Sequence, residues 1–151
     1  MIQALRKSIN YLQLETDYRG YIEGKGWAHS VAHGSDLLTA AILHPLFHEV
    51  SSVPECLLTM KKCLQTEYAY IDEEDERLLQ VVDALYEKGL TDAELTKWLK
   101  QLQIDEISDS LSTYRKQWNI KKFMYTLYAH LLRKIKCETT QQWIMQHVLL
   151  K

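Results

Sequence analysis

Residues 24–43 read GKGWAHSVAHGSDLLTAAIL. The first half gathers Gly24, Gly26 and Gly34, three of the chain's five glycines, around His29, His33 and Asp36, and the second half is mainly apolar. On a helix starting near Trp27 and turning about 100° per residue, His29, His33 and Asp36 fall within about 60° of one another. Trp27, Val31 and Leu38 lie about 160–180° from His29, so such a helix turns an apolar face to a core and a His/His/Asp stripe the other way. A residue preceding proline is disfavoured in the α region, which ends the helix before Pro45. The stretch therefore predicts an amphipathic helix entered through a glycine-rich loop, with Trp27 as its core anchor.

The same period runs through the rest of the chain. Ile2, Leu5, Ile9 and Leu12 form one stripe of a helix over 2–14, closed by the loop from Thr16 to Gly26. Ser52-Val53-Pro54-Glu55 caps a third helix through about Glu67, and Asp72 to Glu76 places acid in the first turn of a fourth that Gly89 closes. Thr91-Asp92-Ala93-Glu94 is a capping box opening a fifth. Further helical patterns cover 105–116, 119–136 and 140–150, with Asn119 and Thr139 or Thr140 as caps and Arg133, Lys134 and Lys136 suited to a last turn. The expected fold is all-α: about eight helices in antiparallel pairs, arranged as a right-handed helical-repeat (armadillo/HEAT-like) stack, with a compact bundle as the alternative. No linker divides the chain, so 1–151 reads as a single domain.

Composition narrows the class. The 151 residues are 46% hydrophobic and 25% charged with net charge −2, an ordinary globular balance rather than a disordered one. No apolar run approaches the ~18 residues of a membrane span, and the N-terminal segment has no signal-peptide core, so a cytoplasmic protein without a membrane partner is expected. Cys56 and Cys63 are seven residues apart on one helix, about 10 Å, too far to bridge, so the three cysteines are expected as reduced thiols.

Asp17-Tyr18-Arg19-Gly20-Tyr21, followed by Gly24-Lys25-Gly26-Trp27-Ala28-His29, Ala32-His33-Gly34 and Asp36-Leu37-Leu38, resembles the signature of an uncharacterised bacterial family catalogued as domain of unknown function 2785. Glu74 to Leu78 and Asn119 to Tyr128 are also similar to family segments. The resemblance implies an all-helical, repeat-like fold and carries no reaction over. Family members have further helices before the Asp17–Tyr21 segment, so the chain is expected to be a short member or a fragment.

Three functions follow as expectations. The first is a noncatalytic module binding a protein partner or a small or anionic ligand in a groove around the opening motif, with Asp17, Arg19, Glu23, Lys25, Trp27, His29, His33, Asp36 and Arg77 as candidate residues. An anion suits the entrance because Gly20, Gly24 and Gly26 precede a helix N-terminus beside Arg19 and Lys25. Asp17, Arg19 and Glu23 read equally as a charge network that fixes the loop.

The second is a metal-assisted hydrolase. Histidines at i, i+4 and an aspartate at i+7 suit a divalent metal, so His29, His33 and Asp36 are its candidate ligands, with Glu23 or an acid near Arg77 as base. Ser30 stands where a metalloprotease helix needs glutamate, and polar surface is the plainer reading of the stripe. His44 and His48 repeat the spacing across Pro45, which breaks their helix.

The third is weak nucleic-acid binding. Residues 110–137 contain no acid and carry seven basic residues among Tyr114, Trp118, Phe123, Tyr125 and Tyr128, although most of those aromatics read as core. This basic segment pairs with the acidic 67–76 segment either within the fold or in a homo-oligomer. The acids from Glu74 to Glu76 read as a solvated helix start, with Arg77 the inward residue. Gly34, inside its helix, predicts a close approach by a neighbour.

Overall fold

The computed structural model describes residues 1–102 and 110–150. Its described helices are α1 (Ile2–Leu14), α2 (Ser30–Leu43), α3 (Phe47–Val50), α4 (Val53–Leu64), α5 (Glu74–Glu87), α6 (Asp92–Leu102), α7 (Leu111–Lys134) and α8 (Glu138–Ile144), followed by a π-helical turn, Met145–Leu149. A small antiparallel hairpin, β1 (Tyr21–Ile22) and β2 (Gly26–Trp27), connects α1 to α2. The described residues are all-α apart from this hairpin. Its longest helix, α7, carries too many charges to cross a membrane, and no other described helix is long and apolar enough.

Several boundaries fall where local chemistry puts them. The Ser52 hydroxyl accepts the Glu55 N–H at the start of α4, and Thr91 and Glu94 exchange hydrogen bonds of 2.9 and 3.2 Å at the start of α6. Gly89, at φ +101°, closes α5, and α2 stops at Leu43 ahead of Pro45. Cys56 and Cys63 are fully buried free thiols, and burial pushes them up to about 11 and about 12, so both stay protonated and unreactive.

Other expectations are corrected. The second helix begins at Ser30, not Trp27, because Gly26 and Trp27 pair with Tyr21 and Ile22 as a strand. One helix, α7, replaces the expected helices over 105–116 and 119–136; residues 105–109 of the first lie outside the described residues. Asn119 is therefore no cap. It is buried in mid-helix, accepts the Tyr70 N–H at 2.8 Å and donates to the Tyr68 carbonyl at 2.7 Å, which staples that loop to α7. Thr139 and Thr140 do not cap α8 either, since Cys137 precedes it in the left-handed region. Their N–H groups donate to the Asp92 carboxylate of α6 at 3.0 Å each.

The core is continuous, and its most extensive helix contact joins α2 to α5, elements separated in the chain by α3 and α4. Helix α1 also packs against α2, and α7 against α5. Gly34 of α2 provides the expected close approach: a Cβ there would sit 2.3 Å from Leu12 Cδ2, 2.6 Å from Leu12 Cγ and 2.9 Å from Tyr11 Cδ1 of α1. Alanine would gain about 1 kcal/mol of helix propensity, but overpacking a fully buried leucine costs about 1–3 kcal/mol. Gly34→Ala is therefore expected to destabilise the chain by up to about 2 kcal/mol in a urea titration. A stabilised variant would show that α1 and α2 separate freely.

Candidate functional site

The loop between α1 and α2 is held by its own polar groups. Arg19 forms two hydrogen bonds with the Asp17 carboxylate, at 2.7 and 2.6 Å, and these hold the Asp17 carboxyl down to about 2. The Ala28 N–H donates to the Gly20 carbonyl at 2.9 Å and the His29 N–H to the Arg19 carbonyl at 3.2 Å. The Ser30 hydroxyl donates to the Asp17 carbonyl. Gly24 and Gly26, at φ +75° and +90°, shape the hairpin turn, whose Glu23 and Lys25 are exposed at the tip. This turn returns the chain to the start of α2 with His29 in the left-handed region, at φ 46°.

That conformation decides where the imidazole goes. His29 precedes the helix instead of lying on it, and its ring packs against Trp27 with centroids 4.2 Å apart and planes tilted by 39°. His29 Nε2 is shielded from solvent and has no hydrogen-bond partner. Its neighbours are Asp72 and Glu74 at the start of α5, and one ligand atom from each of the three residues lies within 4.8 Å of the others. Glu74 is 2% exposed, and its Oε2 accepts the Asp72 N–H at 2.9 Å. Asp72 Oδ2 accepts the Tyr21 N–H at 3.1 Å.

Gly20 makes this approach feasible. A Cβ there would stand 2.1 Å from Asp72 Oδ2 and 3.0 Å from Glu74 Oε1. Its φ is not positive, so the glycine is required by space and not by backbone conformation. The corner thus unites the hairpin, the entrance to α2 and the first turn of α5.

The candidate residues from the sequence divide accordingly. His29 enters the cluster, while His33 is exposed on α2 with its ring 6.3 Å from that of His29. Both Asp36 oxygens face Arg77 Nη1, at 3.2 and 3.3 Å. Asp36 therefore pairs across the α2–α5 surface instead of joining the two histidines. Trp27 is corrected from core anchor to surface: it is 58% exposed and packs edge-on to Tyr21 at 5.0 Å. Residues 26 and 27 belong to a strand, so Trp27 has no helical face to turn toward a core.

The first turn of α5 is also corrected. Glu74 and Asp75 are both buried, and Arg77 is the exposed residue, the reverse of a solvated acidic start with an inward arginine. Asp75 Oδ1 pairs with Lys122 Nζ of α7 at 3.0 Å. The anion expected at the glycine-rich entrance meets the chain's own carboxylates, because Asp72 already takes the Tyr21 N–H and Glu74 sits beside it. The corner is negative. Asp72 and Glu74 went unassigned because their signal, an acidic run, is shared with many solvated helix starts.

A second polar cleft lies between α5 and α7. His130 Nε2 and Lys134 Nζ contact the Asp83 carboxylate at 2.9 and 2.8 Å. Burial raises the Asp83 carboxyl, but Lys134 and His130 outweigh it and hold the group below its ordinary value. This triad satisfies itself.

The candidate corner lies inside the span matched by a known family. A family model described as a protein of unknown function (DUF2785) matches residues 1–129. No curated protein matches the chain, and no solved structure does.

Proposed function

We propose a function for a chain that belongs to the DUF2785 family, proteins of unknown function: a noncatalytic helical module that takes a ligand at the corner where the hairpin meets α2 and α5. One observation carries this reading. His29 and the Asp72–Glu74 turn come from separate parts of the chain and converge, and Nε2 of that imidazole is buried without a partner. A buried polar atom without a partner costs about 1–3 kcal/mol, a cost that a bound ligand removes. The exposed Tyr21–Trp27 pair beside it adds an apolar contact surface.

Amide NMR spectra of the ¹⁵N-labelled chain, recorded against a set of small amines, amides and carboxylates, test the reading. Perturbations are expected to cluster on residues 17–36 and 72–77. Clustering elsewhere, or none, would overturn it.

Weak nucleic-acid binding is favoured by a separate observation. Tyr114, Trp118 and Tyr125 are exposed on α7, contrary to the expectation of core, and line a shallow groove with Gln117, Lys121 and Lys122. Only Phe123 among the five aromatics of this segment is fully buried. Lys121 Nζ lies 5.6 Å from the Tyr125 ring centroid, an arrangement of stacking faces and cations that suits single strands. A short oligonucleotide is expected to quench Trp118 fluorescence at low salt and to be released as salt rises. No quenching at low salt would remove this reading.

A further inference from the structure

We propose that the corner is a binding site for a divalent first-row transition-metal ion, held by one imidazole nitrogen of His29 and by one carboxylate oxygen each from Asp72 and Glu74. This deepens the ligand-binding reading and rests on it. The chemistry of the donor set is specific: one imidazole nitrogen with two carboxylates is a mixed N/O set that suits zinc, manganese or iron(II). Calcium seeks six to eight oxygens and fits poorly. Three protein ligands leave coordination positions open, the pattern of an exchangeable site and not of a closed structural one.

The surroundings support a cation in three ways. Two carboxylates, one of them 2% exposed, face each other across a gap entered by no lysine or arginine contact among the described residues. Their mutual repulsion is relieved by a cation between them. His29 Nε2 is buried and without a partner, so no hydrogen bond within the chain competes for it. The carboxylates are oriented through their other contacts, Asp72 by the Tyr21 N–H and Glu74 by the Asp72 N–H, as outer hydrogen bonds orient metal ligands.

The spacing also states what binding must do. Ligand atoms at about 2.1 Å from one ion are at most about 4.2 Å apart. Three such atoms around a tetrahedral ion stand about 3.4 Å from one another, and those here lie within 4.8 Å, so capture of the ion closes the gaps by up to about 1.4 Å. The moving parts are the ends of two acidic side chains and the hairpin, which Gly20 lets lie against Asp72.

Manganese(II) and zinc(II) chlorides, titrated calorimetrically into the chelator-treated 151-residue chain, provide the test. One ion per chain is expected. Asp72→Asn and Glu74→Gln keep the shape and the N–H contacts, and His29→Asn keeps a residue that tolerates the left-handed region; each is expected to weaken binding at least tenfold. His33→Ala and Asp36→Asn, which alter the stripe on α2, are expected to stay within about twofold of the parent. Pulsed paramagnetic resonance of the manganese complex should show a nitrogen coupling that His29→Asn abolishes, a signal that thiols or scattered surface acids cannot produce. Circular dichroism verifies that each variant is folded.

Absence of saturable binding by both ions, or binding indifferent to the three ligand variants, overturns the site. If small organic probes still perturb the corner when both metals fail, the ligand-binding reading stands and only the metal falls. If neither probe class perturbs it, both fall.

Discussion

Trp98→Ala is expected to cost about 3–5 kcal/mol of stability, the largest loss from any single substitution considered for this chain. Trp98 lies on α6 and is 5% exposed. Its Nε1 donates to the Leu57 carbonyl of α4 at 2.9 Å, and its ring meets Phe123 of α7 edge to face, with centroids 6.0 Å apart and planes at 89°. One side chain therefore ties three helices together. Truncation removes the transfer energy of an indole and leaves a cavity that rigid helices cannot close. The hydrogen bond is the smaller part, because Leu57 sits inside α4, where its carbonyl belongs to the helical ladder. Trp98→Phe keeps most of the volume and is expected to lose only about 1–2 kcal/mol. Urea titrations of both variants make the comparison, and the alanine loss corresponds to a fall in Tm of about 10 °C for a domain of this size. A loss below about 1 kcal/mol for the alanine variant would mean that the α4–α6–α7 junction is loosely packed.

Trp98 also shows which part of the fold sequence patterns can carry. It lies between the buried Leu95 and Leu99 of α6, on a stripe set by the 3.6-residue helical period. The Thr91–Glu94 capping box and the stop before Pro45 were readable because each is a contact within one turn. Asn119 was not. A polar side chain that favours caps was read as a cap, whereas its partners are backbone groups of Tyr68 and Tyr70, far away in sequence.

The candidate site divides along the same line. The spacing to His33 and Asp36 singles out His29, but a helix beginning at Trp27 assigns it the wrong partners. A two-residue hairpin and one left-handed residue swing the imidazole from the α2 stripe toward α5. A hairpin this short has no alternating pattern to detect. Gly20 held the clue to Asp72 and Glu74, yet a glycine needed for space looks in sequence like a glycine needed for a turn. Gly34, by contrast, stood inside a helical pattern where a turn was excluded, so close packing was the reading left, and Leu12 supplies it.

Asp75 turns the misread acidic run into the second large prediction. Lys122→Met is expected to destabilise the chain by about 2–3 kcal/mol at neutral pH, because it leaves the Asp75 carboxylate buried without its counter-charge. Asp75 is 2% exposed; Lys122 Nζ stands 3.0 Å from its Oδ1, and the Thr126 hydroxyl donates to Oδ2. A lone buried charge costs about 3–5 kcal/mol, but Thr126 and the positive end of α5 still support this one, which lowers the figure. Partial exposure of Lys122 lowers it again, since water already screens the pair. Asp75→Asn/Lys122→Met removes the charge together with its partner, so its loss should fall well below the sum of the two single losses. That non-additivity, about 1–2 kcal/mol in urea titrations, separates an electrostatic cost from the loss of the lysine's packing. Additive losses would show that Asp75 is held by packing alone. The consequence reaches the corner, because Asp75 follows Glu74 in the same turn: the Lys122 contact anchors to α7 the end of α5 that presents Asp72 and Glu74 to His29.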